Sequence, residues 1–130
     1  MTTFRVTGFD HIVLCVRDVA ATRDFYERVL GMAVREERPG KYSLQFGEGK
    51  ISLQNAASSP AIARDTVPGS GNFCLLSDTP VAEWRVHLAA EGVEVIDYGF
   101  RDGATGTIDS LYFRDPDGNL VEVSNRVDRR

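Results

Sequence analysis

The sequence predicts an α+β fold made of two tandem βαβββ modules, within a single domain that spans residues 1–130. The length and composition, with 42% hydrophobic and 26% charged residues, suit one domain that buries its own core. The order of strand-like and helix-like segments is the same in both halves of the chain. The predicted modules span about residues 8–55 and 72–125, and a linker rich in Ala, Ser, Pro and Gly joins them over residues 56–71.

The first module begins with a strand and an amphipathic helix. The run Phe9–Val16 is short and rich in β-branched residues, which favours a buried strand. Asp18 is a typical residue at a helix start, and Gly31 lies where a left-handed glycine commonly ends a helix. Three strand-like segments follow, separated by Pro and Gly residues: Met32–Glu37, Tyr42–Phe46 and Lys50–Gln54.

The second module repeats this order. Asn72–Leu76 has the composition of a strand, Pro80 suits the first turn of a helix, and Gly92 ends that helix. The remaining strand-like segments are Val93–Tyr98, Leu111–Phe113 and Leu120–Ser124.

Superposition of the two modules pairs four polar residues. The spacing between the glycines that end the two helices also relates His11 to Asn72, at the start of the first strand of each module. A second match, between the segments SLQF and SLYF, aligns Gln54 with Glu122 in the last strands. The start of the first strand and the last strand therefore each carry a polar residue at the matched position in both modules.

Strand alternation predicts which way these residues point. Val121 and Val123 lie on one face of the last strand and Glu122 on the other, and His11 lies on the face away from Ile12. His11 and Glu122 can therefore share an open face. An imidazole and a carboxylate on a rigid sheet are typical of a first-row transition-metal site with positions left for substrate.

Three motifs resemble the signature of the vicinal oxygen chelate superfamily, which includes glyoxalases, bleomycin-resistance proteins and extradiol dioxygenases. They are Asp10–Val13, Phe25–Gly31, and the closing run Phe113–Asn119 with Glu122, and the resemblance extends from about Phe9 to Asn125. The stretch Gly103–Gly106, with Val123 and Ser124, is closer still to small glyoxalase-domain proteins associated with virulence in bacteria.

The resemblance implies a cupped mixed sheet, the glyoxalase/bleomycin resistance/dihydroxybiphenyl dioxygenase fold, and a divalent metal ion such as Ni, Zn, Mn or Fe. Its metal ligands, carried over by position, are His11, Gln54 and Glu122, with Asn72 as a weaker donor where histidine is common. For Gln54 the alternative is a polar residue that lines the cup, and for Asn72 a hydrogen-bond partner outside the ligand shell. Glu122 is also the expected catalytic proton carrier.

The implied function is a glyoxalase I-like lyase or isomerase that acts on a small substrate with vicinal oxygens through an enediolate-like intermediate. The first alternative is a metal-free small-molecule binding protein of the bleomycin-resistance type. An extradiol dioxygenase is a further alternative, less consistent with a His, Gln, Glu set than with two histidines and one carboxylate. Lys41, Arg101 and Tyr112 are candidates to line the substrate site, and the resemblance also implies a homodimer.

Charge and composition bear on the remaining partners. A net charge of −4 and a pI near 5.1 argue against nucleic acid as a partner. The sequence contains no run of about 20 apolar residues and no leader-like segment, so we expect a cytoplasmic protein without membrane insertion. Cys15 and Cys74 lie in apolar runs and are expected to be buried, reduced thiols. The sequence Asp115-Pro116-Asp117-Gly118 is expected to form a tight turn rather than a metal site.

Overall fold

A computed structural model describes residues 3–58 and 63–127 of the chain, which leaves residues 59–62 of the predicted linker outside the described residues. The chain separates into two compact units, Met1–Ser59 and Pro60–Arg130. Each unit has the predicted order of one strand, one helix and three strands. No helix in the described ranges has the length and hydropathy needed to cross a bilayer.

The first unit is a four-stranded sheet covered by one helix. Its strands lie in the order β1-β4-β3-β2, with β1 parallel to β4 and the other neighbours antiparallel. The helix packs on β2, β3 and β4. Its core contains the fully buried Val16, Tyr26, Leu44 and Ile51. The elements are β1 His11–Val16, α1 Val19–Leu30, β2 Ala33–Arg38, β3 Lys41–Phe46 and β4 Gly49–Asn55.

Both predicted ends of α1 are confirmed. The Asp18 carboxylate accepts a hydrogen bond from the Ala21 backbone N–H at 3.0 Å, which satisfies one of the free donors of the first turn. Gly31 adopts φ 67°, and its N–H donates to the Glu27 carbonyl at 3.1 Å. This left-handed conformation favours glycine, so the sequence identifies the residue at which the helix stops.

The second unit repeats the topology. Its sheet has the order β5-β8-β7-β6, with β5 parallel to β8. The helix packs on β7 and β8, and its Leu88 is fully buried together with Phe113 and Val121. The elements are β5 Asn72–Leu76, α2 Val81–Ala90, β6 Asp97–Gly103, β7 Gly106–Arg114 and β8 Leu120–Arg126.

The hairpin β6–β7 is longer than predicted and lies further along the chain. The predicted strand Val93–Tyr98 is wrong for residues 93–96, since β6 begins only at Asp97. Gly103 and Gly106 pair at the end of this hairpin, where a Cβ on Gly103 would come within 2.8 Å of the Gly106 carbonyl oxygen. These glycines, typical of loops, are therefore part of the strands because the two backbones approach closely.

The predicted turn between β7 and β8 is confirmed. The Asp115 carboxylate accepts hydrogen bonds from the backbone N–H groups of Asp117 and Asn119, both at 3.0 Å, and from the Asn119 amide at 2.8 Å. Gly118 adopts φ 89°. The side-chain amide oxygen Oδ1 of Asn119 accepts from the Gly71 N–H at 2.7 Å, which anchors the chain ahead of β5. Asp115 thus stabilises the turn.

Candidate metal and substrate site

His11 and Gln54, the predicted site residues of the first unit, lie on the same face of its sheet. In the parallel pair β1–β4, His11 is opposite Lys50 and Cys15 is opposite Gln54. Residues paired in this way point to one side of the sheet, and α1 covers the other side. His11 and Cys15 are separated by about 13 Å along β1, at roughly 3.3 Å per residue. Gln54 therefore lies at the far end of the strand pair from His11, and its role as a ligand stays a prediction.

The strand register relates Glu122 to a different residue of the first unit. In the second unit, Cys74 is opposite Glu122. In the first unit, the corresponding pair is Val13 and Ser52, since Val13 and Cys74 are each the third residue of their strand. The position equivalent to Glu122 is thus Ser52 rather than Gln54. Strand alternation repeats every two residues, so pattern matching in the sequence does not separate these two positions.

His11 is oriented by a carboxylate. Its ring Nδ1 lies 2.8 Å from an Asp10 carboxylate oxygen, and both side chains are exposed. If Nδ1 carries the proton of this hydrogen bond, Nε2 keeps its lone pair for a metal ion. The contact is one that metal-ligating histidines commonly make to fix their tautomer.

Glu122 is held by hydroxyl groups rather than by a cation. Its Oε2 accepts hydrogen bonds from the Ser110 hydroxyl at 2.6 Å and from the Ser124 hydroxyl at 3.3 Å. Both serines are buried. Within the described residues, Glu122 forms no ion pair with a Lys, Arg or His side chain. A half-buried carboxylate with a fixed orientation and no ion-pair partner among the described residues is suited to bind a cation or to accept a proton.

Tyr112 and Arg101 lie beside Glu122. Tyr112 is the cross-strand partner of Glu122, and its hydroxyl accepts a hydrogen bond from Arg101 Nε at 3.1 Å. Burial of the hydroxyl, followed by the nearby Glu122 carboxylate, raises the pKa of Tyr112, so the phenol stays neutral and able to donate. Arg101 also contacts Asp97 at 3.3 Å. Its guanidinium packs over Gly99, where a Cβ would come within 2.7 Å of Nη1.

A pocket of about 510 Å³ joins these groups within the second unit. The predicted substrate residues Arg101 and Tyr112 both line it, together with Glu122. Lining residues that the sequence interpretation did not single out include Cys74, Asp102 and Arg126. The volume is in the range typical of small-molecule sites.

The two cysteines differ, and the prediction for one of them is wrong. Cys15 is buried as expected, whereas Cys74 is exposed. The Cys74 sulfur lies 3.2 Å from the Ser124 hydroxyl, and partial desolvation raises the pKa of its thiol. Cys74 shares the face of Glu122, its direct partner in β8. Strand alternation, counted back from Glu122 through the parallel pairing, is the signal that identifies this position.

The other predicted residues lie elsewhere. Asn72 is the exposed first residue of β5 and does not line the 510 Å³ pocket. Lys41 lines a separate pocket in the first unit, next to α1. Lys41 is a candidate in the sequence because its positive charge suits an anionic substrate, and the sequence alone does not tell which face of the sheet it occupies.

The chemical types of the candidate donor groups suit a first-row divalent metal ion. An imidazole nitrogen at His11 and a carboxylate at Glu122, with an amide oxygen at Asn72 as a weaker donor, form a mixed nitrogen and oxygen set of the sort that binds Zn, Ni, Mn or Fe. Among residues 3–58 and 63–127, no group of three His, Cys, Asp or Glu side chains is assembled as a metal site. The candidate donors are divided between the two units, one group in each sheet.

Comparison with known proteins identifies the family. The chain belongs to the Glyoxalase/Bleomycin resistance protein/Dioxygenase superfamily, whose family model matches residues 8–123. The virulence protein STM3117 of Salmonella typhimurium is 40% identical over 125 residues, which cover 94% of this chain and 86% of that protein. Its crystal structure superposes with a TM-score of 0.91 at 36% identity, and the match covers 95% of this chain and 100% of that chain. The predicted family and the fold of two tandem modules are thus confirmed.

Three further relatives are informative. The glyoxalase domain-containing protein RDO1 of Mycosarcoma maydis is 38% identical over 127 residues, which cover 96% of this chain and 72% of that protein. The metallothiol transferase FosB of Staphylococcus epidermidis is 28% identical over 120 residues, or 91% of this chain and 83% of that protein. A lactoylglutathione lyase structure from Agrobacterium tumefaciens superposes with a TM-score of 0.74 at 27% identity, covering 93% of this chain and 95% of that one.

Proposed function

We propose that this protein is a metal-dependent lyase or isomerase of the glyoxalase I-like type, acting on a small substrate with vicinal oxygens through an enediolate-like intermediate. The observation that carries the proposal is the Glu122 carboxylate, which faces a pocket of about 510 Å³ and has hydroxyl partners but no cation partner among the described residues. Among the relatives, a lactoylglutathione lyase and a metallothiol transferase support chemistry of this kind.

The proposed metal ligands are His11 and Glu122, with Asn72 as a weaker donor. Gln54 lies about 13 Å along the strand pair from His11, so we propose that it lines the cup rather than binds the same ion. The ion is divalent Ni, Zn, Mn or Fe and, when bound, supplies Lewis-acid stabilisation of negative charge on substrate oxygens. The Asp10 carboxylate holds the His11 ring so that Nε2 points away from the hydrogen bond. Ser110 and Ser124 hold Glu122 in the same way in the second unit.

The pocket residues have complementary roles in this reaction. Glu122 accepts a proton from one substrate carbon and returns it to the neighbouring atom, as a general base and then a general acid. The neutral Tyr112 hydroxyl donates a hydrogen bond to a substrate oxygen, and the Arg101 guanidinium attracts negative charge. We also propose that the protein acts in the cytoplasm as a homodimer, which the family resemblance favours.

The test is metal content, measured by mass spectrometry on untagged protein. The variants are His11→Ala, Glu122→Ala and Gln54→Ala, and the matched controls are His87→Ala and the exposed Glu83→Ala. We expect near-stoichiometric metal in the wild type and both controls, and loss of metal in His11→Ala and Glu122→Ala. Gln54→Ala should keep its metal because Gln54 lies at the far end of the strand pair from His11. Screening of 2-oxoaldehydes with a thiol, and of acyl thioesters, then tests turnover.

Metal-free wild-type protein, even after incubation with each of the four ions, would contradict the proposal. In that case the alternative is a small-molecule binding protein of the bleomycin-resistance type, for which the 510 Å³ pocket is the binding site. Loss of metal in the two controls as well would show that the variants act through stability rather than ligation. An extradiol dioxygenase requires oxygen uptake with a catechol and iron, which the same preparation tests.

A further inference from the structure

The first unit contains a second pocket, of about 290 Å³, formed between α1 and the ends of β3 and β4. We propose that it binds a small oxyanion, an organic phosphate or carboxylate, at a site separate from the proposed reaction. Its lining includes Arg23, Lys41, Tyr42, Asn55 and Ser58. The volume is near the lower end for small-molecule sites, which suits a ligand of a few heavy atoms around the anionic group.

The location separates this pocket from the predicted metal ligands. Leu53 lines it, and Leu53 points to the α1 side of β4, opposite to Gln54. Asn55, at the end of β4, shares the α1 side. His11 lies on the other face, at the start of β1. A ligand bound here therefore does not compete for the face that carries His11 and Gln54.

Arg23 is the main reason to expect an anion. Its guanidinium stacks over the Tyr42 ring, with Cζ 4.1 Å from the ring centroid. Its Nε is shielded from solvent and has no hydrogen-bond acceptor in the described part of the chain. A buried donor without an acceptor costs free energy, and an oxyanion in the pocket would supply the missing acceptor. Stacking fixes the plane of the guanidinium and leaves its N–H edge available for two oxygens of one anion.

The rest of the lining adds donors and no carboxylate. Lys41 contributes a second positive charge, in a chain whose net charge is −4. The side-chain amide oxygen Oδ1 of Asn55 already accepts from the Ala57 N–H at 2.8 Å, which leaves the side-chain NH₂ group to donate. Ser58 and Tyr42 supply hydroxyls.

Two carboxylates close to the pocket residues along the chain, Asp18 and Glu36, are engaged by backbone groups. Asp18 accepts from the Ala21 N–H at the start of α1, at 3.0 Å. Glu36 accepts from the Gly40 N–H, at the rim of the pocket, at 3.2 Å. Neither lines the pocket. By contrast, Arg28 on the same helix pairs with Asp24 at 3.3 Å, and is therefore a matched control.

The experiment is a titration of the full-length protein with inorganic phosphate at low ionic strength, followed by amide chemical shifts, with potassium chloride as the salt control. We expect saturable shifts at residues around Arg23, Lys41 and Asn55. Arg23→Gln should weaken binding at least about tenfold because it removes the charge and the bidentate donors, and Lys41→Gln should weaken it less. Arg28→Gln should leave binding unchanged.

A parallel titration with malonate distinguishes a carboxylate ligand from a phosphate ligand. Saturable binding of either anion supports the proposal, whereas shifts that are non-saturable, spread over the surface or reproduced by chloride would overturn it. Equal effects of Arg23→Gln and Arg28→Gln would also overturn it. Thermal melts show whether Arg23→Gln is destabilised. If it is, Arg23→Lys replaces it in the comparison: this variant keeps the positive charge but not the planar guanidinium, so its phosphate affinity should lie between those of the wild type and a variant without the charge. Glu122→Ala should keep phosphate binding, so the outcome is independent of the proposed reaction.

Discussion

The two units share one topology but hold a carboxylate on the sheet in opposite ways. In the first unit, Glu37 accepts hydrogen bonds from Lys50 Nζ and from the Ser43 hydroxyl, both at 2.8 Å. In the second unit, Glu122 has serine hydroxyls beside it and no cation partner within the described residues. The first carboxylate is neutralised inside its own sheet, whereas the second remains a charge that faces a pocket.

A local irregularity produces the difference. The pairing of β2 with β3 shifts between Glu36 and Arg38, which leaves Glu37 unpaired in a β-bulge. Bulges change the direction of a side chain, and Glu37 reaches Ser43 on β3 and Lys50 on β4. The hydrogen bond from Lys50, followed by that from Ser43, lowers the pKa of Glu37. The same fold can thus use a carboxylate for structure or leave it free for function, and its partners decide which.

Removal of each carboxylate tests this contrast and should give the largest effect. We expect Glu122→Gln to lose the metal ion and to lower turnover by about 10²–10⁴-fold, as for the loss of a general base. Because the native charge lacks a cation partner, the metal-free variant should melt at or above the wild-type temperature. Glu37→Gln should keep both metal and turnover and should melt slightly lower. Chelator competition and thermal melts measure both quantities.

The stability effect of Glu37 should also depend on pH. The folded-state pKa of Glu37 is below its ordinary value of 4.5, so its ionised form stabilises the folded protein at pH 7. This contribution is lost as the pH falls through the folded-state pKa. The melting difference between wild type and Glu37→Gln should therefore shrink as the pH falls below 4.5 and disappear once Glu37 is protonated in the folded protein. If Glu122→Gln instead lost stability and kept its metal, the assignment of structural and functional carboxylates would be reversed.

Much of this architecture is predictable because it depends on local signals. Asp18 and Gly31 mark the ends of α1 through a side-chain cap and a left-handed backbone, both of which are properties of single residues. The turn at Asp115 has the same origin. Alternation in β8 places Glu122 on the face opposite Val121. These features require no knowledge of which strands pair.

The remainder depends on pairing that the sequence does not contain. The register that relates Ser52 to Glu122 is set by the parallel pairs β1–β4 and β5–β8, whose strands are far apart in the chain. The exposure of Cys74 and the location of Lys41 depend on which face of a sheet a helix covers. Such tertiary features arise between segments that are distant in the chain.

The serine hydroxyls that hold each carboxylate give a smaller test. Ser110→Ala should weaken metal binding by about 10–100-fold, the typical effect of a group that orients a metal ligand. Ser43→Ala, which removes the corresponding hydroxyl from Glu37, should leave metal affinity unchanged because Lys50 still holds that carboxylate. Chelator competition measures both affinities. Equal effects of the two variants would mean that the hydroxyls act through general packing of the sheets rather than on Glu122.

The two thiols provide the mildest test, since they report on the sheet faces while His11 and Glu122 stay unchanged. Cys74 is exposed beside Glu122, whereas Cys15 is buried, so a disulfide reagent should modify Cys74 in the folded protein and Cys15 only after local opening. The thiolate is the reactive form, and the pKa of Cys74 is raised above 9.0. The rate at which the reagent modifies Cys74 should therefore continue to rise with pH in a range where the modification rate of an ordinary thiol is already constant. Cys74→Ser should abolish the fast phase and Cys15→Ser should not.

Because Cys74 lines the same pocket as Glu122, bound metal or substrate should slow the fast phase of modification. An unchanged rate in the loaded protein would place the ligand elsewhere.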